Sequence, residues 1–506
     1  MLPDRSIPRT APPSPSRAGI THRRWPIAAW AAAYLCVAAA IQFGFVSIPF
    51  DADTAYHVAV GRLIREHGIL HAFPWTPFSW LADHYADKEL LFHLLFVPLA
   101  GLSWITAAKI VSTILGGVVL LAFYLVLRRE EVRYAGAWAL LPLALSAVFV
   151  FRFALTRPHL LSIALTVLVL WAAARGRLVA LAIVSGIFPW AYVAWHLPLV
   201  LVAIVEAARL VSGERPRWKP VAVALAGIAA GVALHPNALN LVRFNWIVVY
   251  EVLFRNAWGG RPGFSLGQEF EPFTLAQWAR WLAAAMAALV AALVLSWRNR
   301  REDPAPLAFA IAALAFAALT ARTARFAEYF VPLSAMALAL SARWVRWRWY
   351  PAAVAALAIV YAGPQISTTL QGLGDKQERL PAKVAAVLQA RIPPGAQVFT
   401  CDWGHTGTLM LALPERRFIV ALDPTLAYLK DPESYALWYG LSHDGPPGTA
   451  EAIRRSFGAR YVICFWEEWN RRFNDRLAFE PGVRTVLFDE FWNVYDLGDV
   501  APVQAP

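Results

Sequence analysis

The chain has 506 residues, of which 58% are hydrophobic and only 16% charged, and its mean hydropathy is +0.47. Soluble proteins carry roughly a quarter of their residues as charged side chains, so a string of soluble domains is excluded, as are a disordered chain, a coiled coil and a disulfide scaffold built on three cysteines. The 46 Lys+Arg against 34 Asp+Glu give +12, but they fall in short runs between apolar stretches, which points to membrane orientation and to no nucleic-acid partner.

Residues 1–24 are rich in Pro, Ser and Arg and read as a disordered cytoplasmic tail. The apolar run 25–50 is too long for a signal-peptide core and lacks a cleavage site, so it is the first predicted span. Spans follow near 103–127, 134–151, 158–174, 178–194, 196–212, 219–235, 276–297, 304–321, 326–343 and 350–366. That makes about eleven, each near the ~20 residues a bilayer needs. Basic runs at Arg23-Arg24, Arg128-Arg129, Arg175/Arg177, Arg215/Arg217/Lys219, Arg298/Arg300/Arg301 and Arg343/Arg346/Arg348 fall at every second connection. Placed on the cytoplasmic side, all obey the positive-inside rule together. The first loop 50–102, the long loop 236–275 and everything after the transmembrane region 25–371 are then external.

From about residue 372 charges become frequent and short β-branched runs alternate with helical ones. Arg379 to Arg391 reads as helix, and Gln397–Cys401, Phe418–Leu422, Arg460–Phe465 and Thr485–Asp489 as strands. Residues 372–506 are expected to form an external, periplasmic α/β domain. Cys401 and Cys464 end two of its strands, either as a disulfide in an oxidising compartment or as two buried thiols. The fold class is therefore mainly α: a polytopic membrane protein with a C-terminal external α/β domain. Ala- and Arg-rich usage suits a bacterial genome, and the expected location is the bacterial plasma (inner) membrane, with the N-terminus cytoplasmic.

The first external loop carries Asp51-Ala52-Asp53-Thr54-Ala55-Tyr56-His57. Tyr56, Val60, Leu63 and Ile64 have helical spacing, which predicts an amphipathic helix over 54–67 on the outer membrane surface, capped by Asp53. Asp51 and Asp53 flank one residue and project to one side when extended. Such a pair can hold a divalent cation, Mg or Mn, or supply a base. His57, one turn on, shares the face of Asp53.

The run Asp-x-Asp-Thr-x-Tyr-His-x-x-x-Gly-Arg just after a first span resembles the first external loop of the GT-C glycosyltransferases. These are polytopic enzymes that use lipid-phosphate-linked sugars and include the oligosaccharyltransferase catalytic subunits. Phe78-Ser79-Trp80 and Asp87-Lys88-Glu89-Leu90-Leu91-Phe92-His93 are similar to a subset of uncharacterised bacterial members. The resemblance implies that Asp51 or Asp53 is the catalytic or metal-associated carboxylate; Asp53 is favoured and Asp51 stays open. It implies a polyprenyl-phosphate sugar as donor and a glycan, lipid or protein as acceptor. Cys401-Asp402-Trp403-Gly404-His405 resembles the Trp-Trp-Asp-Tyr-Gly acceptor signature of oligosaccharyltransferases at Asp402 and Gly404, without its leading tryptophans. Asp402, Trp403 and His405 are thus candidates for acceptor binding, or a strand-to-helix turn closed by Asp402.

Arg157, His159, Arg322 and Arg325 lie at outer ends of spans. They are either interfacial anchors or clamps for a donor phosphate that cannot leave the membrane. Arg261, Glu269 and Glu271 lie in the long loop, which could fold over such a pocket. The spans are nearly free of central acids and show no repeat, which counts against a transporter or flippase. A non-catalytic assembly factor of envelope glycan synthesis is the other competing reading.

Overall fold

A computed structural model describes residues 26–49, 51–261, 263–264 and 266–498; the tail 1–24 and Phe50 lie outside these residues. The membrane-embedded part is a bundle of apolar helices. Ile27–Gly44, Trp104–Arg129, Leu275–Arg298, Ala305–Arg322 and Tyr350–Gly374 are each long and apolar enough to cross a bilayer. Counting each of two bent pairs as one span gives up to seven among the described residues, against about eleven expected: Ala147–Ala154 with His159–Ala174, bent by 115°, and Trp218–Ala233 with Ala238–Trp258, bent by 119°. Both bends fall on a proline, Pro158 and Pro236. Proline lacks the N–H that would continue the preceding helix and pushes the residue before it out of helical geometry. Val179, Ile183, Leu225, Leu357 and Val360 face outward and exposed, an apolar surface that lipid covers.

Several sequence expectations change here. The stretch 134–151 is not one span but three short helices, Ala135–Trp138, Leu141–Leu145 and Ala147–Ala154. Ser146 causes the last break: it adopts extended geometry and its Oγ accepts the Val148 N–H at 3.2 Å. The split of 178–212 is observed, as helices Leu178–Ala191 and Leu197–Val211. Most of the loop 236–275 is helical, running from Ala238 through a π-helical stretch, Ile247–Trp258. Its Ile247, Val248, Leu253 and Phe254 were apolar enough to signal this. Gly227 and Gly231 act as packing residues: a Cβ on either would collide with a backbone carbonyl, of Ala182 or Gly186, on the neighbouring helix Leu178–Ala191.

The connections with basic runs gather at one end of the bundle. Arg175 bonds Glu130 at 2.8 Å and Asp303 at 2.9 Å, Arg343 reaches Asp303 at 3.0 Å, and Arg209 bonds the Ala174 carbonyl at 2.7 Å. The sequence alternation and the three-dimensional clustering agree.

At the opposite end sits a five-stranded sheet in the order β2-β1-β3-β5-β4. Its strands are β1 (Gln397–Thr400), β2 (Arg417–Phe418), β3 (Tyr461–Phe465), β4 (Arg484–Phe488) and β5 (Trp492–Asp496). The first three are parallel, and β5 pairs antiparallel with both β3 and β4. Three of these match the expected strands in place, whereas the expected strand Phe418–Leu422 shares only Phe418 with the two-residue β2; β5 had no alternating pattern to announce it, because all its residues are buried. Cys401 and Cys464 form a disulfide between neighbouring strands, the first of the two alternatives.

The helix Ala52–His67 lies between bundle and sheet region rather than on a membrane surface. Val58 belongs to the bundle core, whereas Ala59, Val60 and Ile64 join a second core with Leu409, Met410 and Leu413 of the sheet region. Apolar side chains on two faces of one helix suit a sandwiched element. Burial of Val58, Val60 and Ile64 stabilises by about 1.5–3 kcal/mol each, and that of Ala59 by less. Trp75 fixes the same interface, donating from Nε1 to the Pro414 carbonyl at 2.7 Å while its own carbonyl accepts Phe418 N–H at 2.7 Å.

Candidate active site

The start of Ala52–His67 meets the 115° bend. Thr54 Oγ1 donates to the Thr156 carbonyl at 3.4 Å, and Ser112 Oγ bonds Thr156 Oγ1 at 2.7 Å, so the bend is held from two sides. Arg157, in the bend ahead of Pro158, reaches between Ala52–His67 and the long connection. Its guanidinium donates from Nη2 to Asp51 Oδ1 at 2.9 Å and from Nε to Asp51 Oδ2. Nη2 also lies 3.0 Å from Asp53 Oδ2, and Nη1 donates to Glu269 Oε2 at 3.0 Å. Asp51, not Asp53, caps the helix, accepting the Asp53 N–H at 3.2 Å. The reason is position: the cap residue is non-helical, and Asp53 already sits inside the first turn.

Around this core the charges interlock. Glu269 also accepts from Arg152 Nη1 at 2.8 Å and from Arg325 Nη1 at 3.2 Å. Arg152 Nε donates to the buried Glu328 at 2.9 Å. The segment carrying Glu269 is pinned by Ala324 N–H, which donates to the Glu271 carbonyl at 2.9 Å. Four carboxylates thus face three arginines. Burial alone would push Glu269 up, but Arg157, Arg325 and Arg152 together hold its carboxyl well below the usual range.

Asp53 differs from its neighbours. Its side chain is 48% exposed, against 10% for Asp51. Even so, enclosure by protein pushes its carboxyl up to about 6; Arg157 opposes the rise, and the charges of Asp51 and Glu269 add to it. One oxygen is engaged by Arg157, and the side chain stays half exposed.

His57 does not share that setting. It is buried, its Nδ1 lies 2.8 Å from His93 Nε2 and 3.8 Å from Glu89 Oε2, and burial lowers its pKa well below the usual value. Asp87 bonds His93 Nδ1 at 2.8 Å, and Lys88 bonds Glu89 at 3.1 Å. The three positions 87–89 therefore surround His57 and His93. His57, Glu89 and His93 each offer one ligand-type atom, and these atoms all lie within 4.8 Å of one another. By contrast, Asp51 and Asp53 both direct oxygens at the Arg157 guanidinium.

The other expected contributors are distributed as follows. Arg325 joins the cluster; Arg322 instead donates to the Trp258 carbonyl at 2.8 Å. His159 is buried and its Nε2 bonds the Arg152 carbonyl at 2.9 Å across the bend. Asp402 closes a local turn, accepting Gly404 N–H and His405 N–H at 3.1 Å and His405 Nδ1–H at 2.6 Å. His405 stacks on Phe465, its ring centre 3.7 Å away, and the Trp403 carbonyl accepts from Thr406 Oγ1 at 2.6 Å. This turn starts helix Thr406–Ala412, which packs against Ala52–His67. Arg261 packs over the Tyr428 ring, 4.0 Å from its centre.

Sequence reading missed Arg152 and Glu328. Arg152 directly follows the apolar run 134–151, and Glu328 is the single acid of the predicted span 326–343, which is itself a signal for a buried polar network.

No protein-family model matches the chain, and no curated protein matches it by sequence. Solved structures do match in fold. The archaeal oligosaccharyltransferase AglB from Archaeoglobus fulgidus, in complex with an inhibitory peptide and a dolichol-phosphate, aligns with a TM-score of 0.58 at 15% identity over 87% of this chain and 70% of its own. ArnT from Cupriavidus metallidurans bound to undecaprenyl phosphate aligns with a TM-score of 0.60 at 15% identity over 94% of this chain and 99% of its own. The mycobacterial arabinofuranosyltransferase AftD aligns with a TM-score of 0.56 at 16% identity over 93% of this chain but only 40% of its own. All three are GT-C membrane glycosyltransferases. The chain has the GT-C fold, a membrane bundle of apolar helices with a small C-terminal sheet region.

Proposed function

We propose that the protein transfers a sugar from a polyprenyl-phosphate-linked donor to an acceptor at the external face of a bacterial plasma (inner) membrane. The observation that carries this reading is the half-open Asp53 carboxylate, held 3.0 Å from Arg157 where the bundle meets the sheet region. The fold and the phosphorylated polyprenyl lipids present in the AglB and ArnT structures support the donor class. The Cys401–Cys464 disulfide supports an oxidising, external side for the sheet region, opposite the basic connections.

In the proposed reaction the acceptor hydroxyl or amide attacks the sugar C1. The bond from C1 to the phosphate oxygen breaks, the electron pair leaves on the lipid phosphate, and the acceptor proton passes to Asp53. A base whose pKa lies near the working pH suits that transfer. Arg157, Arg152 and Arg325 supply cations for the departing phosphate, with the shared carboxylate of Glu269 as the anion that a phosphate would displace. Asp51 orients Arg157, and the Asp402–His405 turn sets the helix that covers the site. Purified protein incubated with labelled polyprenyl-phosphate sugars and candidate acceptors tests the reading. Acceptor-dependent consumption of donor supports it, and inertness toward every such donor favours the assembly-factor alternative.

A further inference from the structure

His57, Glu89 and His93 form a second polar cluster that the transfer reaction above does not use. Among the described residues they are the group of three metal-ligating side chains whose ligand atoms lie within 4.8 Å of one another. His93 is fixed for the role: both oxygens of the buried Asp87 carboxylate lie 2.8 Å from its Nδ1, which leaves Nε2 with its lone pair facing His57. A carboxylate holding the far nitrogen of a ligating histidine is the usual outer support of a metal site. Asp87 is itself locked, accepting the Glu89 N–H at 3.1 Å. Lys88 holds Glu89 Oε1 at 3.1 Å, while Glu89 Oε2 points inward, buried and without a hydrogen-bond partner.

That orphaned oxygen is the telling feature. Leaving a buried carboxylate oxygen unpaired is unfavourable, and a cation at the centre would pair it. Tetrahedral zinc, with ligand bonds near 2.0–2.1 Å, sets its ligand atoms about 3.3 Å apart. The separations from His57 Nδ1, 2.8 Å to His93 Nε2 and 3.8 Å to Glu89 Oε2, bracket that value. Two imidazoles with one carboxylate suit zinc or a related divalent transition ion better than magnesium, which takes oxygen ligands. The two carboxylates of Glu89 and Asp87 match its charge.

We propose that His57 Nδ1, His93 Nε2 and Glu89 Oε2 bind one zinc-class divalent cation, with Asp87 as the outer carboxylate and a fourth position left to water or substrate. The ion ties helix Ala52–His67, which carries Asp53, to the 87–93 segment of the first loop. The inference stands independently of the transferase reading, because it concerns binding alone.

The test uses the full chain, purified in detergent without a polyhistidine tag or chelator. Elemental analysis after exposure to zinc is expected to give about one ion per chain, and cobalt exchange a tetrahedral visible spectrum. Glu89→Gln and His93→Gln should lose both. Asp87→Asn, which keeps all three ligands, should weaken affinity by about 10–100-fold. Asp53→Asn should retain the ion. The proposal is overturned if wild-type protein binds neither zinc nor cobalt. It is equally overturned if Asp51→Asn or Asp53→Asn abolishes binding while Glu89→Gln and Asp87→Asn leave it intact.

Discussion

Arg157 Nη2 lies 2.9 Å from Asp51 Oδ1 and 3.0 Å from Asp53 Oδ2, so one guanidinium nitrogen serves both carboxylates of the Asp-x-Asp motif. The two acids are nevertheless unequal. Asp51 gives Arg157 a two-pronged partner and caps a helix; Asp53 gives it one oxygen and keeps its other edge open.

That inequality predicts opposite stability effects. Asp51→Asn keeps the cap but breaks a mostly buried ion pair, and should destabilise by about 1–3 kcal/mol. Asp53 has a folded-state pKa of about 6, above its ordinary 3.8, so its ionisation opposes folding. That opposition is absent below pH about 4, grows as pH rises through about 4–6 and is complete above. Asp53→Asn should therefore leave the thermal midpoint at pH 8 unchanged or raised, as read by thermal unfolding in detergent. A clear drop at pH 8 for Asp53→Asn, with none for Asp51→Asn, would reverse the assignment.

The same carboxyl predicts the pH profile. A general base works only when deprotonated, so kcat/KM for donor should fall on the acid side with an apparent pKa near 6. A profile flat from pH 8 down to pH 5 would remove Asp53 from that role.

Arg325 and Arg322 separate the proposed phosphate-binding network from a surface anchor. Arg325 shares Glu269 with Arg157, whereas Arg322 bonds a backbone carbonyl. Arg325→Lys loses the planar fork and should raise donor KM by about tenfold, the effect of roughly 1.4 kcal/mol. Arg322→Lys should leave it unchanged. Steady-state kinetics on both variants decides, and equal behaviour would contradict the network.

Orientation is tested by reporter fusions at Gly213, at the basic end of the bundle, and at Gly374, at the end of the helix leading to the sheet region. Gly213 should report cytoplasm and Gly374 the opposite side. The same compartment for both would break the alternation of basic runs.

Much of the bundle was legible because apolar length and basic runs are properties of short segments. Residues 134–151 were not, since Pro142 and Ser146 break an apolar run without making it less apolar. The helix Ala52–His67 was visible by spacing, yet its burial on two sides depended on Leu409 and Met410, far along the chain. Asp51, Asp53, Arg157 and Arg325 could be named singly, because charged residues at span ends stand out. Their convergence on Glu269, and the recruitment of Arg152 and Glu328, followed from the bend at Pro158 and the folding-in of the long connection. His57 was read with Asp53 by helical spacing, and its partnership with His93 emerged only from tertiary packing.

The most direct measurement of the central claim is single-turnover sugar transfer by Asp53→Asn from a labelled polyprenyl-phosphate donor, beside wild-type protein of matched thermal midpoint. If Asp53 takes the acceptor proton, the rate should fall by about 10² or more with donor binding retained. Transfer by Asp53→Asn at the wild-type rate would contradict the account.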